Sequence, residues 1–188
     1  MDANSHLSPE EREAKRLKAL ISLAILDTTA ERAYDDVTRM ASVVCGTPIA
    51  LISMVDRNRQ WFKAAVGLRV RETPRDLAFC AHAILNPHEL MVVRDALQDP
   101  RFASNDRVTG DPAIRFYAAA PLLTSSGDAL GTLCVIDRRP RILSETQLEH
   151  LAFLAREVVS MLEARPDDAQ RWVHADGGQV LPHDRGSV

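Results

Sequence analysis

The sequence predicts an α+β domain, on two observations. Both ends of the 188-residue chain carry capped segments with helical periodicity. Between them the pattern changes to apolar, β-branched runs separated by short turns, the signature of strands. Composition agrees, since 46% hydrophobic residues is the share of a globular domain with its own core.

Taken in order, "LSPEER" supplies Ser8 as N-cap, Pro9 at the first helical position and Glu11 three residues after the serine. That capping box predicts a helix over residues 9–26 with an apolar stripe at Ala14, Leu17, Ile21 and Ala24. A second helix over 30–45 carries Val37, Met40, Ala41 and Val44 on one face and stops at Gly46. "PIALISMVD" and "QWFKAAVG" then read as strands joined by the turn "RNR". The stretch "PRDLAFCAHAILNPHE" predicts a helix over 77–85, ended by Asn86 and Pro87. A short strand "LMVVRD" follows, then a polar loop over 96–113, long enough to cover something. "IRFYAAAPLLT" and "ALGTLCVID" are two more strands, joined by "SSGD".

The last element, "LSETQLEHLAFLAREVVSMLEA", has a second capping box in Ser144 and Gln147, and Leu143 and Leu148 stand at hydrophobic-staple positions. Leu148, Leu151, Ala155, Val158 and Leu162 repeat at three, four, three and four. This seam has two readings: the face that packs on the domain, or a dimer interface formed with the first helix through Ala14, Leu17 and Ile21. Residues 1–8 and 165–188 are expected to be flexible segments flanking a domain over 9–164, the second being polar and broken by Gly and Pro.

Charge excludes some functions. Charged residues make up 26%, the two signs are interspersed and the net charge is −3, so neither nucleic acid nor a membrane surface is expected as partner. No leader-like N-terminus and no run of about 18 apolar residues occurs, which predicts a cytoplasmic protein. Cys45, Cys80 and Cys134 are widely spaced, without the pattern of a disulfide framework or compact zinc site, and no metal is expected.

The densest chemistry is Cys80, His82 and His88. Two residues apart on a helix means about 200° apart, so Cys80 and His82 cannot serve one substrate together, and no catalytic constellation is found. The chain is therefore predicted not to be an enzyme. Cys80, near the start of its helix, is either a reactive thiol or a small apolar group in a pocket wall.

The succession "PIALISMVDRNRQWFKAAVGL", "TPRDLAFCAHAIL", "MVVRDALQDPRFASND" and "IRFYAAAPLLTSSGDALGTLCVIDRRPRILSETQLEHL" resembles the GAF domain family, of the bacterial type that serves as sensory input to histidine kinases and diguanylate cyclases. The resemblance implies a central antiparallel sheet of five to six strands, with the N- and C-terminal helices on one face. A short helix and a long loop would cover a small-molecule pocket on the other.

Specialised branches of the family fit less well. Bilin-binding members carry a cysteine followed directly by histidine, whereas Ala81 separates Cys80 from His82. The Asn-Lys…Phe…Asp-Glu pattern of cyclic-nucleotide binders is not completed around Asn105 and Phe116, so neither a covalent bilin nor a cyclic nucleotide is expected. The cofactor stays unknown. The leading reading is a stand-alone sensory domain with an unidentified small ligand, acting through terminal-helix packing as a homodimer or through a kinase or cyclase partner. The alternatives are a thiol-based redox sensor or reductase using Cys80, and a ligand-free dimerisation module. The candidate pocket comprises Phe79, Cys80, His82, Arg115, Phe116, Tyr117, Ala119, Pro121 and Leu133. Phe116 and Tyr117 are adjacent on a strand, so only one can face it.

Overall fold

The computed structural model describes residues 7–165, and most of both expected flexible segments lies outside the described residues. Helices α1 (Pro9–Ser22) and α2 (Arg32–Cys45) precede β1 (Ile49–Val55), β2 (Arg59–Val66) and β3 (Glu72–Pro74). A 3₁₀ turn, Arg75–Leu77, leads into α3 (Phe79–Ala83), then β4 (Met91–Val93), α4 (Asp106–Thr109), β5 (Phe116–Leu123), β6 (Ala129–Asp137) and α5 (Glu145–Glu163). The six strands form one sheet in the order β3-β2-β1-β6-β5-β4, with antiparallel neighbours throughout.

Local chemistry sets the helix ends. Both capping boxes form, Ser8 with Glu11 and Ser144 with Gln147, each satisfying two orphan backbone donors. Gly46 ends α2 in the left-handed region at φ 63°, where a Cβ would be strained. Helix α1 stops at Ser22, short of the expected residue 26, as the chain turns through left-handed conformations at Ala24 and Asp27. The helix expected over 77–85 is split into the 3₁₀ turn and the five-residue α3.

Each sheet face has its own core. On one, α1, α2 and α5 cover Ala50, Ile52, Met54, Trp61, Phe116, Ala118, Leu133 and Val135. On the other, α3 and the 96–113 loop cover Ile49, Leu51, Phe62, Tyr117, Ala119, Cys134 and Ile136.

This arrangement places most of the helical stripes in the domain's own packing, the first of their two readings. Leu151, Val158 and Leu162 are 0% exposed, Ala155 2% and Leu17 6%, all inside this chain's own core. The heptad-like spacing of α5 is satisfied by the sheet and α2. Of the proposed interface only Ala14 and Ile21 lie at the surface, because α1 turns Arg16, Leu17 and Leu20 inward instead. Buried Arg16 is held by Glu13 and by the Val55 carbonyl at 2.7 Å.

Two register irregularities shape the sheet. Ile52 pairs with Ala64 but Ser53 with Phe62, so Lys63 is an extra residue, a β-bulge. The alternation restarts there, placing Phe62 on one face while Trp61 and Ala64 both join the other. Lys63, fully buried, reaches Glu31, Thr28 Oγ1 and the Thr29 carbonyl at 2.6–2.8 Å. The second irregularity lies between Pro121 and Leu123, opposite the stretch of β6 that holds Gly131. A Cβ on Gly131 would stand 1.8 Å from the Ser53 carbonyl oxygen, so the close approach requires glycine.

Candidate functional site

A cavity of about 90 Å³ lies between the sheet and the short-helix side. Its floor is Leu51, Phe62, Tyr117 and Ile136, its roof residues 77–80, and Arg107, Asp111, Pro112 and Ile114 of the long loop close one side. Gln60 and Thr73 add polar groups from β2 and β3. An aromatic stack fixes the roof. Phe79 lies flat on Phe102 with centroids 4.0 Å apart and planes 12° apart, and meets Tyr117 at 5.0 Å. Asn105 clamps the loop to the roof, donating to the Leu77 carbonyl at 3.1 Å while accepting from the Arg107 amide.

Cys80 sits at the inner edge, 1% exposed, in a cluster of polar side chains. Thr132 Oγ1 donates to its sulfur at 3.0 Å and the Tyr117 hydroxyl lies at 3.1 Å. Ser53 also borders this sulfur, although its buried Oγ has no hydrogen-bond partner of normal geometry. Burial pushes the thiol up, but the polar groups gathered around the sulfur, Cys134, Thr132 and Tyr117 among them, outweigh it and hold Cys80 down at about 6. The same contact with Cys80, together with burial, drives Cys134 well above an ordinary thiol. Of the two, Cys80 is therefore the thiol that ionises more readily.

The structure brings Phe79, Cys80 and Tyr117 to the cavity, with Ala119 in the same core beneath α3. It turns Phe116 and Leu133 to the helix-covered core, because side chains alternate along β5 and β6 and Tyr117 and Cys134 take the cavity side. Pro121 pairs with Thr132 near the strand end and is outside the lining. His82 points outward, edge-on to Phe102 at 4.9 Å, into an open groove with Arg57, Asn58 and Asp76. Arg115 neither lines the cavity nor pairs with Asp95 or Asp99. Its guanidinium donates to the carbonyls of Val108 and Ile114. The sequence reading missed Gln60, Thr73, Arg107 and Asp111. Only the length of the polar loop pointed to the last two.

A six-stranded antiparallel sheet with three helices on one face and a roofed cavity on the other defines a class of α+β domain. The GAF domain model matches residues 29–162, and the chain belongs to the GAF domain family. It is 45% identical over 153 residues to a cyclic di-GMP phosphodiesterase of Pseudomonas aeruginosa, a match that covers 81% of this chain and 26% of that protein. Among solved structures it resembles the GAF domain of an Acinetobacter phosphoenolpyruvate-protein phosphotransferase (TM-score 0.59, 16% identity, 92% of this chain and 99% of that one). It also resembles a blue-light-absorbing GAF domain of Thermosynechococcus elongatus (TM-score 0.58, 13% identity, 90% and 94%). At those identities the likeness shows the fold alone.

The relative overturns one expectation. The chain was predicted not to be an enzyme, yet the protein it matches at 45% identity is named as one. The sequence reading asked only whether this domain contains a catalytic constellation, a question blind to whatever enzyme such a domain is joined to. Among the described residues, no helix is long and apolar enough to cross a membrane.

Proposed function

We propose that this chain is the sensory domain of a cyclic di-GMP phosphodiesterase, binding a small molecule in the roofed cavity and adjusting hydrolysis by the enzyme it serves. The observation that carries this reading is the 45% identity to a protein named for that activity, of which the chain spans about a quarter. The cavity supports the ligand part: concave, mostly apolar and furnished with a few polar groups, it has the make-up of small-molecule sites.

The route outward runs through the roof. Arg75, two residues before Leu77, donates to Glu13 of α1 at 2.6 Å, so a roof that shifts with occupancy pulls on the first helix. A chimera tests the proposal, with residues 10–162 replacing the matching region of the Pseudomonas enzyme, with and without Ala78→Leu to fill the cavity. The chimera should hydrolyse cyclic di-GMP, at a rate that Ala78→Leu changes severalfold. Identical rates with open and filled cavities would exclude regulation through this site. A second reading, thiol-based sensing at Cys80, rests on the hydrogen bonds gathered around its sulfur.

A further inference from the structure

Two thiols and three hydroxyls from β1, β5, β6 and α3 meet at the inner edge of the cavity. Ser53 of β1 pairs across the strands with Thr132 of β6, and Cys134, two residues on, shares the Thr132 face. Tyr117 of β5 belongs to the same core. Helix α3 sets Cys80 onto this group, its sulfur 3.0 Å from Thr132 Oγ1 and 3.1 Å from the Tyr117 hydroxyl. Cys134 is the second sulfur in the contact. All of these residues are buried, yet Ser53 Oγ, beside the Cys80 sulfur, has no hydrogen-bond partner. A buried hydroxyl left unpaired is costly. Here it keeps a donor free at the point where an oxygen bonded to that sulfur would accept from it. Cys45 lies in the opposite core, where burial alone pushes it up to about 11.

Reactivity and size define the reagent. Held at about 6, Cys80 supplies a thiolate at neutral pH, the form of sulfur that attacks. The cavity it borders, about 90 Å³, has room for about three water-sized groups at roughly 30 Å³ each. Hydrogen peroxide, with two oxygens, fits there, and a peptide disulfide does not. We propose, on the reading of Cys80 as a sensing thiol, that hydrogen peroxide oxidises Cys80 and that Cys134 converts the product to a Cys80–Cys134 disulfide. In the first step the Cys80 sulfur attacks one peroxide oxygen. The S–O bond forms, the O–O bond breaks, and the departing hydroxide leaves as water with the proton Cys80 gave up. In the second step the Cys134 sulfur attacks the sulfenic sulfur of Cys80. The S–S bond forms, the S–O bond breaks, and the hydroxide leaves as water with the Cys134 proton. The two sulfurs lose two electrons between them and the peroxide gains them. The bond then ties the roof helix to a central strand of the sheet.

The test treats the full chain at neutral pH with hydrogen peroxide or with oxidised glutathione, alkylates the remaining thiols after unfolding, and maps the products by mass spectrometry. Peroxide should give a species lighter by two hydrogens with Cys80 joined to Cys134 and Cys45 alkylated, at least tenfold faster than oxidised glutathione does. In Cys134→Ala, shown to be folded by circular dichroism, dimedone should trap a sulfenic acid on Cys80. A dimedone adduct on Cys80 of the unmodified protein, with no disulfide, would overturn the role of Cys134. Oxidised glutathione acting as fast as peroxide, or Cys45 oxidised as fast as Cys80, would overturn the peroxide assignment. Iodoacetamide separates that failure from the failure of the wider reading: if it still modifies Cys80 before the other thiols of the folded protein, thiol-based sensing stands. If Cys80 resists both peroxide and iodoacetamide until the protein unfolds, both readings fall.

Discussion

Val158→Glu separates a core helix from a dimer helix. Val158 is 0% exposed among Leu151, Leu154, Ala155 and Leu162 on the sheet-facing side of α5. Losing the burial of a valine costs about 1.5–3 kcal/mol. Placing a carboxyl there with no partner costs roughly 2–7 kcal/mol more. The sum, about 4–10 kcal/mol, is comparable with the whole stability of a typical domain, about 5–15 kcal/mol. The variant should be unfolded at 25 °C or melt more than about 10 °C lower, at the usual ~2–4 °C per kcal/mol for chains of this size. Phe153→Glu is the control, since Phe153 is 50% exposed on the same helix and a surface change stays within about 0.5 kcal/mol. Circular-dichroism melts and sedimentation velocity read both outcomes. A Val158→Glu protein that melts with the parent but passes from dimer to monomer would refute the packing argument and restore the seam as an interface.

Three further outcomes follow from the geometry. Phe102→Ala removes the ring stacked on Phe79 and should cost about 3–5 kcal/mol, with amide exchange rising first over residues 75–83. Glu13 is pushed up by burial but held down at about 2 by Arg16 and Arg75. Its contribution is therefore complete above the ordinary value of 4.5 and lost as pH falls from there through 2. Glu13→Gln should flatten acid unfolding across that window, and a parent and variant with parallel pH curves would show the pairing to be inconsequential. Thiolate absorbance near 240 nm should titrate at about pH 6 in the native protein and vanish in Cys80→Ala, whereas Cys134→Ala should weaken Cys80's acidity and move the titration up.

Much of the fold was legible because its signals are local. The two capping boxes lie within four residues each, and the opposition of Cys80 and His82 follows from helix geometry alone. What could not be read was which face of a strand looks where. In "FYAAAPLL" both faces are buried, so no polar alternation separates Phe116 from Tyr117. In "QWFKAAV" the bulge at Lys63 inverts the alternation midway, and a strictly alternating reading fails on one side of it. β3 and α4, three and four residues long, are too short for any period to show. The stripe in α1 misled because its inward face includes an arginine, Arg16, whose burial depends on a carbonyl 39 residues away in sequence.

The bulge at Lys63 also bears on how this domain can diverge. Ahead of it, Gln60 and Phe62 belong to the cavity. Behind it, Ala64 belongs to the core under the helices. A point substitution at 60 or 62 changes only what the cavity contacts. Deleting Lys63 would remove the bulge and leave Gln60, Trp61, Phe62 and Ala64 in plain alternation on the faces they already occupy, at the cost of the buried Lys63–Glu31 pair. The extra residue thus serves the buried lysine rather than the assignment of faces, and the cavity side of this strand is open to single substitutions that leave the core under the helices untouched.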